Sequence, residues 1–246
     1  MSTRSPRELA LEQAASPRLP AGDDERFAGY GVMGLPFASG HYLAQRDFPA
    51  TSIGPGYRAV WHRDPAGGWT VYATAPPEVS CARYFGAALT ETVTTPIDVT
   101  WTGPREFRVT VPGVLDWDVR LGRTAAAAVL SRVGGLLPEW AWRSDAVLAP
   151  MGPMAGAMLG AGRVALRGTT PNGQHFRAAP RLIWTVAESS ARLNGADLGR
   201  PGALPTQDSL GDFWLPQRGI FAVGQTSYEV YDPSRHRPAV TGVSAA

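Results

Sequence analysis

Residues 96–121 read Pro-Ile-Asp-Val-Thr-Trp-Thr-Gly-Pro-Arg-Glu-Phe-Arg-Val-Thr-Val-Pro-Gly-Val-Leu-Asp-Trp-Asp-Val-Arg-Leu. Ile97, Val99 and Trp101 alternate with Asp98, Thr100 and Thr102 up to a Gly103-Pro104 turn. Phe107, Val109 and Val111 then alternate with Arg108 and Thr110. After Pro112-Gly113, Leu115, Trp117, Val119 and Leu121 alternate with Asp116, Asp118 and Arg120. A repeat of two puts successive side chains on opposite faces, so this stretch predicts three antiparallel strands with one apolar and one polar face each.

Two hairpins flank the meander. Residues 56–62 and 69–75 are joined by a Pro- and Gly-bearing loop, Arg63 to Gly68, and residues 163–169 and 175–178 bracket Pro171-Asn172-Gly173, a strong hairpin signal. Further strands are expected at 30–34, 42–47, 182–187, 191–194 and 219–231. The predicted fold is mainly β: an antiparallel meander forming a lipocalin-like barrel or two packed barrels or sheets.

A helical insert at about 124–160 interrupts the strands. Thr124 is a suitable N-cap, Gly134-Gly135 ends a first helix, a second is expected near Pro138 and a third after Pro150. In the third, Gly152, Gly156 and Gly160 are spaced to share a face on which another backbone can approach closely. The expected division is a disordered tail over 1–26, a first β half over 27–123, the insert over 124–162, a second β half over 163–231 and a tail over 232–246.

Composition narrows the chemistry. All 23 basic residues are arginine, so no lysine exists to form a Schiff base or to carry a phosphate-binding loop. The same usage fits a GC-rich genome, and the chemical exclusion holds under either cause. A formal charge of +2 gives no broad attraction to nucleic acid or to an anionic membrane. Cys81 is the single cysteine, which rules out an internal disulfide and a cysteine-cluster metal site. The opening residues lack the apolar run of a signal peptide, so the cytoplasm is expected. Residues 146–162 carry no charge, which predicts packing against the sheet, with contact at a membrane surface as the alternative.

Motif matches are weak. Gly160-Ala161-Gly162-Arg163-Val164-Ala165 has the letters of a dinucleotide fingerprint in reversed context, with a helix before it and a strand after, and reads as a helix-ending turn. Asp116 and Asp118 share the polar face of a strand, roughly 7 Å apart, and read as a solvated pair. No histidine has metal-ligand spacing, so no metal and no cofactor is expected. The densest reactive stretch, 57–84, holds Arg58, Trp61, His62, Tyr72, Cys81, Arg83 and Tyr84. There, strand parity separates Tyr57, Ala59 and Trp61 from Arg58, Val60 and His62: if the first set faces inward, the second faces outward.

This layout, with Trp-bearing strands, Gly-Pro and Pro-Gly turns, a helical insert and a second set of strands, resembles the lipocalin-like proteins related to bacterial carotenoid hydratases and natural-product cyclases. The resemblance implies an apolar, isoprenoid- or polyketide-like small molecule in a barrel pocket and a cofactor-free hydration, isomerisation or cyclisation. It makes His62 or His41 the proton-transfer group with Tyr72 and Tyr84 as further candidates. Arg83 and Arg58 would hold an anionic group, with Trp61, Trp101 and Trp117 as the wall. The alternatives are a non-catalytic carrier of a hydrophobic ligand and a membrane-associated partner protein using residues 146–162.

Overall fold

The computed structural model describes residues 4–239 and the backbone of residues 243 and 244. Strands form where alternation and Gly/Pro turns place them. Helix α1 (Pro6–Ala15) precedes β1 (Glu25–Pro36), β2 (Tyr42–Thr51), β3 (Tyr57–Arg63) and β4 (Trp69–Ala73), after which comes the single turn α2 (Ala82–Phe85). The strands β5 (Glu91–Thr94), β6 (Asp98–Trp101), β7 (Glu106–Val111) and β8 (Leu115–Gly122) lead into α3 (Ala125–Leu136) and α4 (Asp145–Leu159). Then follow β9 (Arg167–Thr169), β10 (His175–Leu193), β11 (Ala196–Asp197), β12 (Ser209–Leu210), β13 (Phe213–Trp214), β14 (Ile220–Tyr228) and β15 (Val243–Ser244).

One sheet takes all of these strands except the small β12–β13 ladder, in the order β15-β5-β4-β3-β2-β1-β14-β10-β8-β7-β6, with β9 and β11 pairing on β10. Pairing is antiparallel apart from β4–β5 and β5–β15. The sheet curls into a half-barrel. Leu43 and Val60 of β2 and β3 share one apolar cluster with Val109 and Trp117 of β7 and β8, strands that lie far apart in the sheet order. The bend centres on β1, where pairing with β2 breaks register between Ala28 and Tyr30 and between Tyr30 and Leu35. At Gly29 and Gly31 a Cβ would stand 2.0 Å from the carbonyl oxygens of Asp47 and Gln45, so only glycine permits this approach of β1 to β2.

Both faces of β1–β3 are covered. The concave face holds Tyr30, Leu43, Val60, Phe107, Trp117 and Phe221, and the convex face holds Phe27, Tyr42, Ala59 and Trp61 beneath α2 with its Phe85, α4 and the 204–215 segment. In the meander, Phe107, Val109, Val111, Leu115 and Trp117 are buried while Arg108, Asp116 and Arg120 are exposed, as the alternation predicts.

Four local features differ from the sequence expectations. Residues 6–15, expected within a disordered tail, form α1, whose Leu9 and Ala10 are buried in the concave core. The cause is a capping box: Ser5 Oγ accepts from Glu8 N (3.2 Å), Glu8 Oε2 accepts from Ser5 N (2.6 Å), and Pro6 occupies the first turn. Ser5→Ala is therefore expected to destabilise the protein by about 1 kcal/mol in urea titration. Second, β10 is one strand and not three pieces. Pro180 is tolerated because the edge of β10 opposite β14 is unpaired with any strand between its β9-paired and β8-paired ends. That gap is closed from outside the sheet: Ser131 of α3 donates to Ile183 O (3.2 Å) and accepts from Ile183 N (2.8 Å).

Third, α4 runs unbroken from Asp145 through Pro150 and Pro153. Two of its glycines act as expected: a Cβ at Gly152 or Gly156 would stand 2.5 Å or 2.2 Å from Val164 O or Gly162 O; Gly160, expected on the same close-approach face, has nothing within 4 Å of its Cβ position and instead ends the helix in the left-handed conformation at φ 61°. Fourth, residues 232–239, expected as tail, form a turn in which Asp232 accepts from Ser234 and Arg235 and His236 is buried. Beyond it the β15 backbone pairs with β5. The rest of that expected tail, 240–242 and 245–246, lies outside the described residues, as do residues 1–3 of the first tail.

Candidate functional site

A cavity of about 120 Å³ lies on the convex side, between the sheet and its helical cover. Its floor is made of small residues, Gly29, Ala178, Ala222 and Gly224, which leave space where side chains would otherwise project. Phe48, Trp61, Phe85 and Tyr228 wall it, and Ala155 and Leu159 of α4 with Phe213 and Trp214 roof it. The lining is therefore apolar over most of its surface.

The exception is Arg46. It is 6% exposed, sits on β2 between convex-facing Ala44 and Phe48, and lines the cavity. Its Nη1 donates to Val32 O and to Gln45 O (3.0 Å), and its Nη2 to Met33 O (3.1 Å). Val32 and Met33 belong to the stretch of β1 that has lost its pairing with β2, so the guanidinium satisfies carbonyls that the bend released. Three of its five N–H donors are thereby used. No carboxylate forms an ion pair with Arg46 among the described residues. Burial pulls its pKa down from the ordinary arginine value, opposed by the neighbouring thiol and phenols, and an arginine stays charged through such a shift.

The surroundings of Arg46 are rich in donors. The Tyr57 hydroxyl and the Trp61 Nε1–H are buried with no oxygen or nitrogen acceptor, and their polar neighbour is the Cys81 sulfur, a weak acceptor. Cys81 lines the cavity too, and burial pushes its thiol up to about 12 against the pull of the Arg46 charge. It is thus protonated at neutral pH and no thiolate nucleophile. Tyr30 and Tyr228 complete the titratable lining. Burial raises both phenols, and the Tyr30 hydroxyl turns away to donate to Asp47 (2.8 Å). The cavity therefore offers a fixed positive charge with spare guanidinium N–H donors, and no lining group among the described residues that exchanges a proton near pH 7.

The residues singled out from sequence are divided by the sheet. Trp61 lines the cavity, whereas Trp101 and Trp117 lie in the concave core. Arg58, His62 and Tyr72 also lie on the concave side by strand register: Trp61 faces the cavity, and Val60, the cross-strand partner of Tyr72, faces the concave core. Arg58 is bound to Asp47 (3.0 Å) and to Ile97 O (3.0 Å). Tyr72 is half-buried beside Glu91, and burial with that charge raises its phenol.

His62, expected outward, is 8% exposed, because the sheet is covered on both faces. The structure does bring His41 to it, with His41 Nδ1 and His62 Nε2 2.9 Å apart and the rings stacked. Burial, and secondarily the His41 charge, pull His62 down to about 4, so this imidazole is neutral at pH 7. Neither histidine lines the cavity.

Tyr84 and Arg83, two further candidates, serve the protein's own carboxylate. Glu25 Oε1 accepts from Arg83 Nη2 (2.7 Å) and Tyr231 N (3.2 Å), and Oε2 from Arg83 Nε (3.1 Å), Tyr84 Oη (2.7 Å) and Gln174 Nε2 (3.1 Å). Burial pushes Glu25 up, but the hydrogen bonds from Arg83, Tyr84 and Gln174 and the Arg83 charge outweigh it and hold the carboxyl below its ordinary value. Asp118 of the acidic pair binds Arg108 (2.8 Å) on the exposed face. Sequence reading missed Arg46. The available signal is Gln45-Arg46-Asp47, three polar residues in succession inside a strand with apolar neighbours on both sides, all three of them buried.

No protein-family model matches the sequence, and no curated protein matches it. Among solved structures, acetoacetate decarboxylase from Legionella pneumophila subsp. pneumophila str. Philadelphia 1 is similar to this chain with a TM-score of 0.40 and 9% sequence identity, covering 92% of each chain.

Proposed function

We propose that the chain binds a small apolar carboxylate in the convex-side cavity, with its hydrocarbon part among Phe48, Trp61, Phe85 and Leu159 and its carboxylate on Arg46. The observation that carries this reading is a buried guanidinium without a carboxylate partner, beside two buried donors that have only a thiol sulfur to meet. A buried charge ordinarily has a counter-charge, and buried donors are ordinarily satisfied. A ligand carboxylate supplies both needs in one group.

The volume speaks to ligand size. About 120 Å³ is close to an engineered cavity of about 150 Å³ that takes benzene, and below the roughly 300–1,000 Å³ of drug-sized sites. A short aromatic or branched-chain acid fits it better than an isoprenoid or polyketide. The hydration, isomerisation or cyclisation implied by the lipocalin-like resemblance needs a proton-transfer group at the ligand. With His41 and His62 outside the cavity, the geometry favours the carrier reading.

Calorimetry with benzoate and benzamide tests this directly. Benzoate is expected to bind and the isosteric neutral amide to bind at least about tenfold more weakly. Arg46→Met should lower benzoate affinity by about a hundredfold, the worth of two charge-assisted hydrogen bonds. Equal binding of acid and amide, or an unchanged benzoate affinity in a folded Arg46→Met protein, would overturn the assignment.

A further inference from the structure

Large apolar side chains exposed to solvent are concentrated in one place. Of the eight exposed among the described residues, six lie between residues 129 and 158: Val129, Val133, Leu136, Trp140, Met154 and Met158. Their spacing makes this a surface and not a scatter. Val129, Val133 and Leu136 form one stripe along α3, and Met154 and Met158, one turn apart, form another along α4. The inner sides of the two helices meet through Ala127, Leu130 and Leu159 over Ile183 and Ile220 of the sheet, so these stripes are the sides turned away from the protein. Trp140, 67% exposed, and Leu136, 76% exposed, stand at the C-terminal end of α3 and in the connection to α4.

Charge around the stripes has one sign. Between residues 123 and 163 the arginines are Arg123, Arg132, Arg143 and Arg163, and none forms an ion pair with a carboxylate among the described residues. Arg143 donates to Ala21 O and Arg163 lies over the Trp214 ring. The two carboxylates of the same stretch are already neutralised, Glu139 by Arg181 and Asp145 by Arg167 and Arg177. Between Asp145 and Arg163, residues 146–162 carry no charge at all.

We propose that the outward faces of α3 and α4, with Trp140 between them, dock on an anionic lipid surface. Apolar stripes with an exposed tryptophan and flanking unpaired arginines are what an interfacial helix presents to a bilayer: the side chains enter the headgroup boundary and the guanidiniums meet lipid phosphates. The helices lie along the surface and do not cross it. α4 spans only 15 residues, and no helix among the described residues is long and apolar enough to span a membrane. The face is also fixed in place, since Gly152 and Gly156 hold α4 against the backbone at Val164 and Gly162.

A second copy of the chain is the competing occupant. A two-fold interface through this patch would set a surface carrying several unpaired arginines and no free carboxylate against itself, whereas lipid phosphates complement the same charges. The docking face lies on the outer side of the cavity roof, yet the inference does not depend on what the cavity binds.

Co-sedimentation of the full chain with vesicles tests it. Binding is expected to vesicles containing roughly a third phosphatidylglycerol in phosphatidylcholine, weakening as salt is raised, with little to phosphatidylcholine alone. Arg132→Gln should lower partitioning about fivefold, and Leu136→Ser with Trp140→Ala by about tenfold or more. All these side chains are exposed, so the variants should keep the wild-type circular dichroism, and the salt dependence of the unaltered protein gives a readout that needs no variant. Absence of binding, equal binding to both vesicle types, or a dimer in sedimentation velocity that Trp140→Ala dissolves while vesicles capture nothing, would overturn the proposal.

Discussion

Trp117→Ala is expected to lower the unfolding free energy by about 3–5 kcal/mol, a large part of the roughly 5–15 kcal/mol that holds a typical domain folded. Trp117 has no exposed surface, lies in the concave core with Val109, Leu115 and Phe221, and donates from Nε1 to Ser189 Oγ (2.8 Å), which in turn donates to Asp118 O (2.9 Å). Truncation loses the transfer energy of the indole, leaves a void that the surrounding β7, β8 and β10 side chains cannot fill, and strips Ser189 of a donor. Trp117→Phe keeps most of the volume and should cost about 1–3 kcal/mol, the orphaned hydroxyl included. Urea titrations of the pair, followed by tryptophan fluorescence and circular dichroism, read both values. A loss below about 1 kcal/mol for the alanine variant would mean that the concave side is not closely packed.

Glu25→Ala is expected to cost a comparable amount, about 3–5 kcal/mol, by a different route. One carboxylate gathers donors from α2 through Arg83 and Tyr84, from the β9–β10 hairpin through Gln174, and from the segment after β14 through Tyr231 N. Its removal leaves the Tyr84 hydroxyl and the Gln174 amide buried beside an arginine that has lost its counter-charge. The effect depends on pH with a definite sign. The folded-state pKa of Glu25 lies below its ordinary value, so its stabilisation is fully present above the unfolded pKa, about 4.3, and is lost as pH falls through the folded value. The stability gap between wild type and Glu25→Gln should therefore be widest at neutral pH and close below about pH 4. A gap that stays constant from pH 7 to pH 3 would show that the carboxylate's charge is not what ties these segments together.

How much of this could be read beforehand depends on whether one face of a strand meets water. In β6–β8 it does, and the apolar/polar alternation of Phe107 to Leu121 placed each side chain correctly. In β2 and β3 both faces are covered, so parity separates the faces but cannot say which is outside. With Trp61 turned inward, parity would put His62 in solvent, and it lies buried. The candidates from 57–84 are close in sequence, and the alternation that makes them a strand is what splits Trp61 from Arg58 and His62. Arg46 escaped because its partners are carbonyls at a bend in another strand, a feature set by the contact of Gly29 and Gly31 with β2 and invisible in local composition. The capping box at Ser5 to Glu8 was legible, and the mixed charge and prolines around it argued for a tail.

The contact between Ser131 and Ile183 bears on solubility. Between its β9-paired and β8-paired ends, β10 would present unsatisfied amide and carbonyl groups along an open edge, the kind of edge onto which a strand from another molecule can add. α3 occupies that edge, with Ser131 bonded to both backbone groups of Ile183 and a Cβ-less Gly134 against Arg181 O. The helical insert is thus a guard against intermolecular strand addition as well as a cover for the sheet. A minimal half-barrel with the insert excised should retain its meander and yet polymerise through β10.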